Sequence, residues 1–136
     1  MARAHELGML CFSTPFDETA VDFLEDLNVS AYKIASFENT HVPLIKKVAS
    51  TGKPMIISTG LATLAQLDET VRTVRGMGCE QFALLKCTSS YPAAPENSNV
   101  LTIPHMRKVF NCEVGLSDHT MGLGAALAAV AHGATI

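Results

Sequence analysis

Ser117, Asp118 and His119 follow directly on an apolar run, "CEVGL" at residues 112–116, and bring a hydroxyl, a carboxylate and an imidazole together. Such a stretch can be a nucleophile triad, a metal and phosphate site, or a polar loop end. The triad fails on spacing, because three adjacent residues cannot easily form a Ser–His–Asp chain of hydrogen bonds, and no GxSxG elbow is present. His119 stays open as a base, a metal ligand or a loop histidine. As a ligand it needs partners, since one imidazole holds no ion tightly. His5, His41, His105 and His132 lie before the first strand-like run or at predicted helix ends, and do not clearly supply them.

Lys33 sits inside an apolar stretch, "AYKIASFE" at residues 31–38. An ammonium there is costly to bury unless something anionic meets it. It reads as an anchor for phosphate or carboxylate, as a Schiff-base nucleophile, or as an edge lysine whose stem snorkels to water. Lys33 and Ser36 have opposite strand parity, so both face one site only if the strand ends or bulges before Ser36.

Thr14, Ser36, Ser58 and Ser117 each close an apolar run. One such hydroxyl is an ordinary cap or turn residue. A recurring set suits an oxyanion gripped by hydroxyls and backbone N–H groups. The loop "CTSSYPAAPENSN" at residues 87–99 carries Tyr91 and Pro92, either a wall for a sugar-sized ligand or a simple Pro-rich connection.

These residues need a scaffold, and the apolar pattern supplies one. Continuous rather than alternating runs at 9–13, 31–35, 55–58, 82–87 and 113–116 predict buried parallel strands, and residues 134–136 begin a sixth. Helices are predicted between them. Asp17 caps one carrying Val21, Leu24 and Leu27; "HVPLIKKVAST" ends at Gly52; Thr63 and Gln66 form a capping-box pattern before Leu67, Val71 and Val74. "TIPHMRKVF" and "GLGAALAAVAHG" follow, the last with Gly133 as its stop. The order is β–α repeated, which fits βαβ units with right-handed crossovers. No GxGxxG or Walker A pattern marks a doubly wound nucleotide-binding sheet. Polar groups at nearly every strand end, from Ser13 and Thr14 to Lys86–Ser89 and Ser117–His119, are instead the habit of a (β/α)8 TIM barrel, whose strand ends converge on one mouth. A full barrel takes about 250 residues. The expected fold is therefore α/β, an incomplete barrel of about five βα units plus a strand stub, forming one partial domain over residues 1–136.

Composition narrows the function classes. With 48% hydrophobic and 17% charged residues the chain is globular, not disordered. A net charge of −3 with scattered Lys and Arg argues against nucleic acid. No apolar run reaches the roughly 18 residues of a membrane span, and the first residues lack a signal-peptide core. Cys11, Cys79, Cys87 and Cys112 are widely spaced without a CxxC pair, so free buried thiols and a reducing, cytoplasmic setting are expected.

Taken in collinear order, "FSTPFDETAVDFL", "YKIASFE", "GKPMIISTG", "LLKCTSSYPA" and "VGLSDHT" resemble the sialic acid synthase family of nonulosonic acid synthases, over essentially the whole chain. "IASFE" and "KCTSSYP" look more like the pseudaminic acid synthase branch than the N-acetylneuraminate branch, where "GSGE" and "CTNIYP" are usual. The resemblance implies a metal-dependent condensation of phosphoenolpyruvate with an N-acylated amino sugar in its open-chain aldehyde form. By the same resemblance Lys33, Thr14, Ser36, Ser58 and Ser117 hold phosphoenolpyruvate, Glu38 acts with Ser89 and Tyr91 at the sugar, and Lys33, Glu38 and His119 form the catalytic set. His119 is then one of two histidines on a divalent ion, manganese first, with magnesium or cobalt as alternatives.

The resemblance also implies what lies outside these residues. The first two barrel strands, a second histidine in an "E-[KR]-H-F"-like motif after the last strand, and a C-terminal antifreeze-like domain that reaches across a homodimer all have no counterpart here. A fragment with little activity of its own is expected. A lysine Schiff-base aldolase using Lys33, and a non-catalytic binding domain derived from the barrel, remain alternatives.

Overall fold

A computed structural model describes residues 2–136. After a short helix α1 (Ala2–Glu6) the order is α2 (Glu18–Asp26), β1 (Tyr32–Ile34), α3 (Val42–Ala49), β2 (Met55–Ser58), α4 (Leu64–Gly76) and β3 (Phe82–Cys87). A 3-10 turn (Pro95–Asn97), α5 (Thr102–Phe110), β4 (Glu113–Ser117) and α6 (Gly124–Ala131) complete it.

Local chemistry sets most helix boundaries. Asp17 caps α2, its Oδ1 accepting from the Ala20 N–H at 2.8 Å. The capping box of α4 is reciprocal: Thr63 N–H donates to Gln66 Oε1 at 2.8 Å and Gln66 N–H donates to Thr63 Oγ1 at 3.3 Å. Asn111 closes α5 in the left-handed region, a conformation its short polar side chain tolerates. Gly133 follows α6 at a φ of +88°, where a side chain would be strained.

The four strands form one parallel sheet in the order β1-β2-β3-β4. A doubly wound sheet reverses its strand order at a switch point, and this one does not. Each strand is added beside the last with a helix between, which is how a (β/α)8 barrel grows. The chain is thus a partial barrel wall.

Register fixes what each face carries. Lys33 pairs with Ile56, Ile56 with Ala83, and Ala83 with Glu113; Ser58 pairs with Leu85, and Cys87 with Ser117. Paired residues in a parallel ladder share a face and alternate residues change it. Tyr32, Ile34, Met55, Ile57, Leu84 and Val114 therefore point the other way, into a core completed by Val21, Leu44, Val48, Val74 and Ile103 from the helices. Tyr32 alone among these strand residues brings a polar tip, and its hydroxyl donates to Glu25 Oε1 at 2.7 Å. Burial and the Glu25 carboxylate push that phenol well above its usual range.

Two expected strands are reduced. Residues 9–13 keep only a bridge from Ser13 to Tyr32, with Ser30 N–H donating to Cys11 O at 3.2 Å and Lys33 N–H to Ser13 O at 2.9 Å. This segment is paired on one side only and its apolar side chains stand in solvent, Leu10 being 82% exposed, so little holds the rest of it in a ladder. Residues 134–136 also fall short of a strand, although Thr135 N–H donates to Val114 O and Leu116 N–H to Ile136 O. All four cysteines are free, and among the described residues no helix is long and apolar enough to cross a membrane.

Replacing Thr63 with Ala removes the capping box from the 13-residue α4. The expected loss is about 1 kcal/mol, read as a lower urea midpoint at unchanged m-value.

Candidate functional site

The face opposite the core carries Lys33, Ser58, Cys87 and Ser117, staggered along four neighbouring strands. Lys33 Nζ donates to Ser58 Oγ at 3.0 Å, a hydroxyl 25 residues away in sequence. Among the described residues no carboxylate lies within ion-pair distance of it. Burial pushes the Lys33 ammonium below its ordinary pKa, and the nearby Cys87 and Glu38 offset that only in part. A half-buried cation with no carboxylate in direct contact suits an anion.

Strand β1 ends at Ile34, so the parity conflict between Lys33 and Ser36 is resolved by the turn that follows. Ser36 Oγ accepts from the Gly60 N–H at 3.2 Å. A Cβ on Gly60 would lie 2.2 Å from Ser89 Oγ and 2.8 Å from Ser36 Oγ, so only glycine lets these two hydroxyls close over the end of β2. Lys33, Ser36, Ser58 and Ser89 thus meet at the C-terminal ends of β1, β2 and β3. Glu38 joins the same turn, and its Oε2 is buried without a hydrogen-bond partner among the described residues. Such an orphan acceptor suits a hydroxyl or N–H donor of a ligand.

His119 belongs to a neighbouring group. Its Nδ1 lies 3.0 Å from Thr88 O, and a carbonyl only accepts, so Nδ1 carries a proton and Nε2 is the ring nitrogen left for another partner. The Tyr91 ring packs on the imidazole at a centroid distance of 4.4 Å, and Ala93 N–H donates to His119 O at 2.8 Å. Asp118 shapes the loop, its Oδ1 accepting from the Thr120 N–H at 2.9 Å. Cys87 links the two groups, with Sγ 3.9 Å from His119 Nδ1 and 3.7 Å from Ser89 Oγ.

Two predicted residues stand further apart. Ser117 ends β4 half-buried on the correct face, and Thr14 is half-buried just beyond the Ser13 bridge. Neither hydroxyl hydrogen-bonds to the cluster among the described residues. Lys86, one residue out of phase with Cys87, turns to the helix side and donates to Thr88 Oγ1 at 2.8 Å, so it does not join the strand-end set.

Asn39 was missed by sequence reasoning. It is 1% exposed, and its Nδ2 donates to Ser58 O at 3.0 Å and Gly60 O at 3.2 Å. Its position directly after Glu38 reads as a turn residue; the contacts that hold it are distant in sequence, among them Thr70 in α4, whose hydroxyl donates to the Asn39 main-chain carbonyl.

For a divalent ion, Nδ1 anchoring to a backbone carbonyl is the arrangement that aims the other ring nitrogen of a metal-binding histidine. Among the described residues, however, no group of three or more His, Cys, Asp or Glu is placed to hold one. His119 fits as a single ligand and no more.

Residues 1–136 match the model of the NeuB family along their whole length. The chain belongs to the NeuB family. It is 43% identical over 122 residues to the pseudaminic acid synthase of Helicobacter pylori, covering 90% of this chain and 35% of that protein. The spore coat polysaccharide biosynthesis protein SpsE of Bacillus subtilis superposes with a TM-score of 0.94 at 40% identity, over 98% of this chain and 38% of that one. The N-acetylneuraminic acid synthetase of Leptospira borgpetersenii, solved with citrate, gives a TM-score of 0.94 at 32% identity, over 98% and 46%. The chain spans about two fifths of the length of the curated NeuB relatives it matches.

A half-buried ammonium without an ion pair lowers the stability of the folded chain. Lys33→Met is expected to raise the stability of this NeuB chain by roughly 1 kcal/mol, a few degrees in Tm for this size. The gain should shrink as pH rises. The folded-state pKa of Lys33 is depressed, so its charged form is penalised at lower pH and the penalty disappears as pH passes through that pKa towards the unfolded value. Thermal unfolding between pH 7 and 10 checks both sign and trend.

Proposed function

We propose that the chain carries the anion-binding part of a nonulosonate synthase site, in a protein that condenses phosphoenolpyruvate with an N-acylated amino sugar. The observation that carries the reading is the half-buried Lys33 ammonium, which has no carboxylate within ion-pair distance among the described residues and donates to Ser58 Oγ beside the Gly60 corner that Ser36 and Ser89 close over. A phosphate monoester that also bears a carboxylate needs such convergent donors.

In the overall reaction C3 of phosphoenolpyruvate bonds to the aldehyde carbon of the sugar, water adds at C2, and phosphate leaves with cleavage of the C–O bond. Lys33 and Ser58 would meet the phosphate, with Ser36, Thr14 and Ser117 completing the grip as the ligand draws these elements together. Glu38 would accept from the sugar through the oxygen that lacks a partner, beside Ser89 and the Tyr91 ring. His119, its proton held on Nδ1 by Thr88 O, would present Nε2 to a divalent ion, manganese first and magnesium or cobalt as alternatives. When bound, that ion supplies Lewis acidity at the aldehyde oxygen. Tight binding needs ligands in addition to His119. A homodimer and a cytoplasmic setting complete the proposal for the whole protein.

A second reading draws on the depressed pKa of Lys33, which favours a nucleophilic amine and a Schiff base. The two separate cleanly. Titration of the isotope-labelled chain with phosphoenolpyruvate should shift the amides of Ser36, Ser58 and Gly60 saturably, and Lys33→Ala should weaken that binding about tenfold or more. Borohydride should trap no adduct on Lys33 with pyruvate present. Mn2+ should broaden His119 and Tyr91 before other side chains. An unshifted spectrum overturns the synthase reading, and a borohydride-trapped adduct replaces it with the aldolase.

A further inference from the structure

Between the strand-end hydroxyls and the helical layer lies one side chain that touches no face of the mouth. Asn39 is almost fully buried, and its two amide hydrogens go to the carbonyls of Ser58 and Gly60, the residues on either side of Thr59. The main-chain carbonyl of Asn39 accepts from the hydroxyl of Thr70, itself 1% exposed on α4. Thr59 is held from the other side, both its N–H and its hydroxyl donating to Leu85 O at 3.0 Å. The corner at 58–60 is therefore fixed from the β1 side by Asn39 and from the β3 side by Leu85.

We infer that Asn39 is a positioning residue, which sets the orientation of the Ser58–Gly60 corner and so the spacing of the hydroxyls on it. While Asn39 holds the carbonyls of Ser58 and Gly60, the Gly60 N–H donates to Ser36 Oγ from the same turn, and the space a Cβ would take is filled by Ser36 and Ser89. Ser58 Oγ is left to Lys33. A carbonyl freed from Asn39 would turn its lone pairs towards the mouth, where they repel an anion. Only an amide serves here: it is uncharged, and it offers two donors to two acceptors in one plane. The inference rests on the anion-binding reading for its consequence, though not for its geometry.

Asn39→Asp keeps the shape and places a carboxylate against two carbonyls. Thr70→Val leaves the amide and removes only its anchor, and serves if the aspartate variant does not fold. Val71→Ala, a core truncation next door in α4, controls for general loss of stability. In the ligand-free chain the Gly60 amide should exchange with solvent about tenfold faster in Asn39→Asp than in Val71→Ala, both compared with their own global unfolding rates. Affinity for phosphoenolpyruvate should fall about tenfold in Asn39→Asp and by less than about twofold in Val71→Ala, with Thr70→Val between them. Unchanged Gly60 protection in Asn39→Asp, or equal losses in Val71→Ala, overturns the inference. If the wild-type chain binds no phosphoenolpyruvate, the anion-binding reading fails and Gly60 exchange alone decides the role of Asn39.

Discussion

Side-chain alternation along a parallel ladder leaves Lys33 no choice of face. Tyr32 and Ile34 on either side of it are fully buried among the helices, so the ammonium must stand on the opposite surface of the sheet. Its neighbours there follow from the pairing: Ile56 directly beside it, then Ser58 two residues on, then Leu85 and Cys87, then Gly115 and Ser117. A slip of one residue in any strand would carry hydroxyls into the core and apolar groups out of it. The chemistry of the mouth and the packing of the core are thus fixed by the same hydrogen bonds.

Above the last paired residue the ladder no longer helps, and polar side chains take over. The turn after β1, the corner after β2 and the loop after β3 approach closely because Gly60 has no side chain, and the corner stays in place because the Asn39 amide, the Gly60 N–H and the Thr59 hydroxyl each find an acceptor in a neighbouring segment. A group left unpaired in such a place costs more than an ordinary hydrogen bond contributes, so the network is stiff where it is complete. It is incomplete at Glu38 Oε2 and around the Lys33 charge. Those two gaps carry opposite charge and sit on the same turn-and-strand unit, which suits a ligand with an anionic end and a hydroxylated one.

Legibility in the sequence follows the range of the interactions involved. The strands at 31–35, 55–58, 82–87 and 113–116 were readable because burial on both sides writes itself as a continuous apolar run. Asp17 and the Thr63–Gln66 box were readable because a cap is settled within three residues. The run at 9–13 has the same composition as the others yet pairs only at Ser13, since strand formation needs neighbours that composition does not report. Ser58 and His119 could be picked out as strand-end polar groups, whereas Asn39 could not, because its hydrogen-bond partners, Ser58, Gly60 and Thr70, all lie far along the chain. Lys86 misled for a simpler reason: one step of parity separates it from Cys87 and turns it to the helices.

The two halves of the mouth are built differently, and that difference bears on how each can respond to a ligand. The Lys33 half hangs on strand ends tied to α4 through Asn39 and Thr70, so its donors are set before anything binds. The His119 half is loop on loop: a carbonyl of one loop holds the imidazole, a ring from the same loop packs on it, and Asp118 turns the chain beneath. Loops held by a few partly exposed contacts open at lower free energy than strand ends do. Cys87 stands between them, buried on the inner face, within 3.9 Å of His119 Nδ1 and close enough to Lys33 to influence its charge. The Lys33 half is thus held by buried hydrogen bonds that tie strand ends to α4, whereas the His119 half rests on partly exposed loop contacts, and Cys87 touches both the imidazole and Ser89.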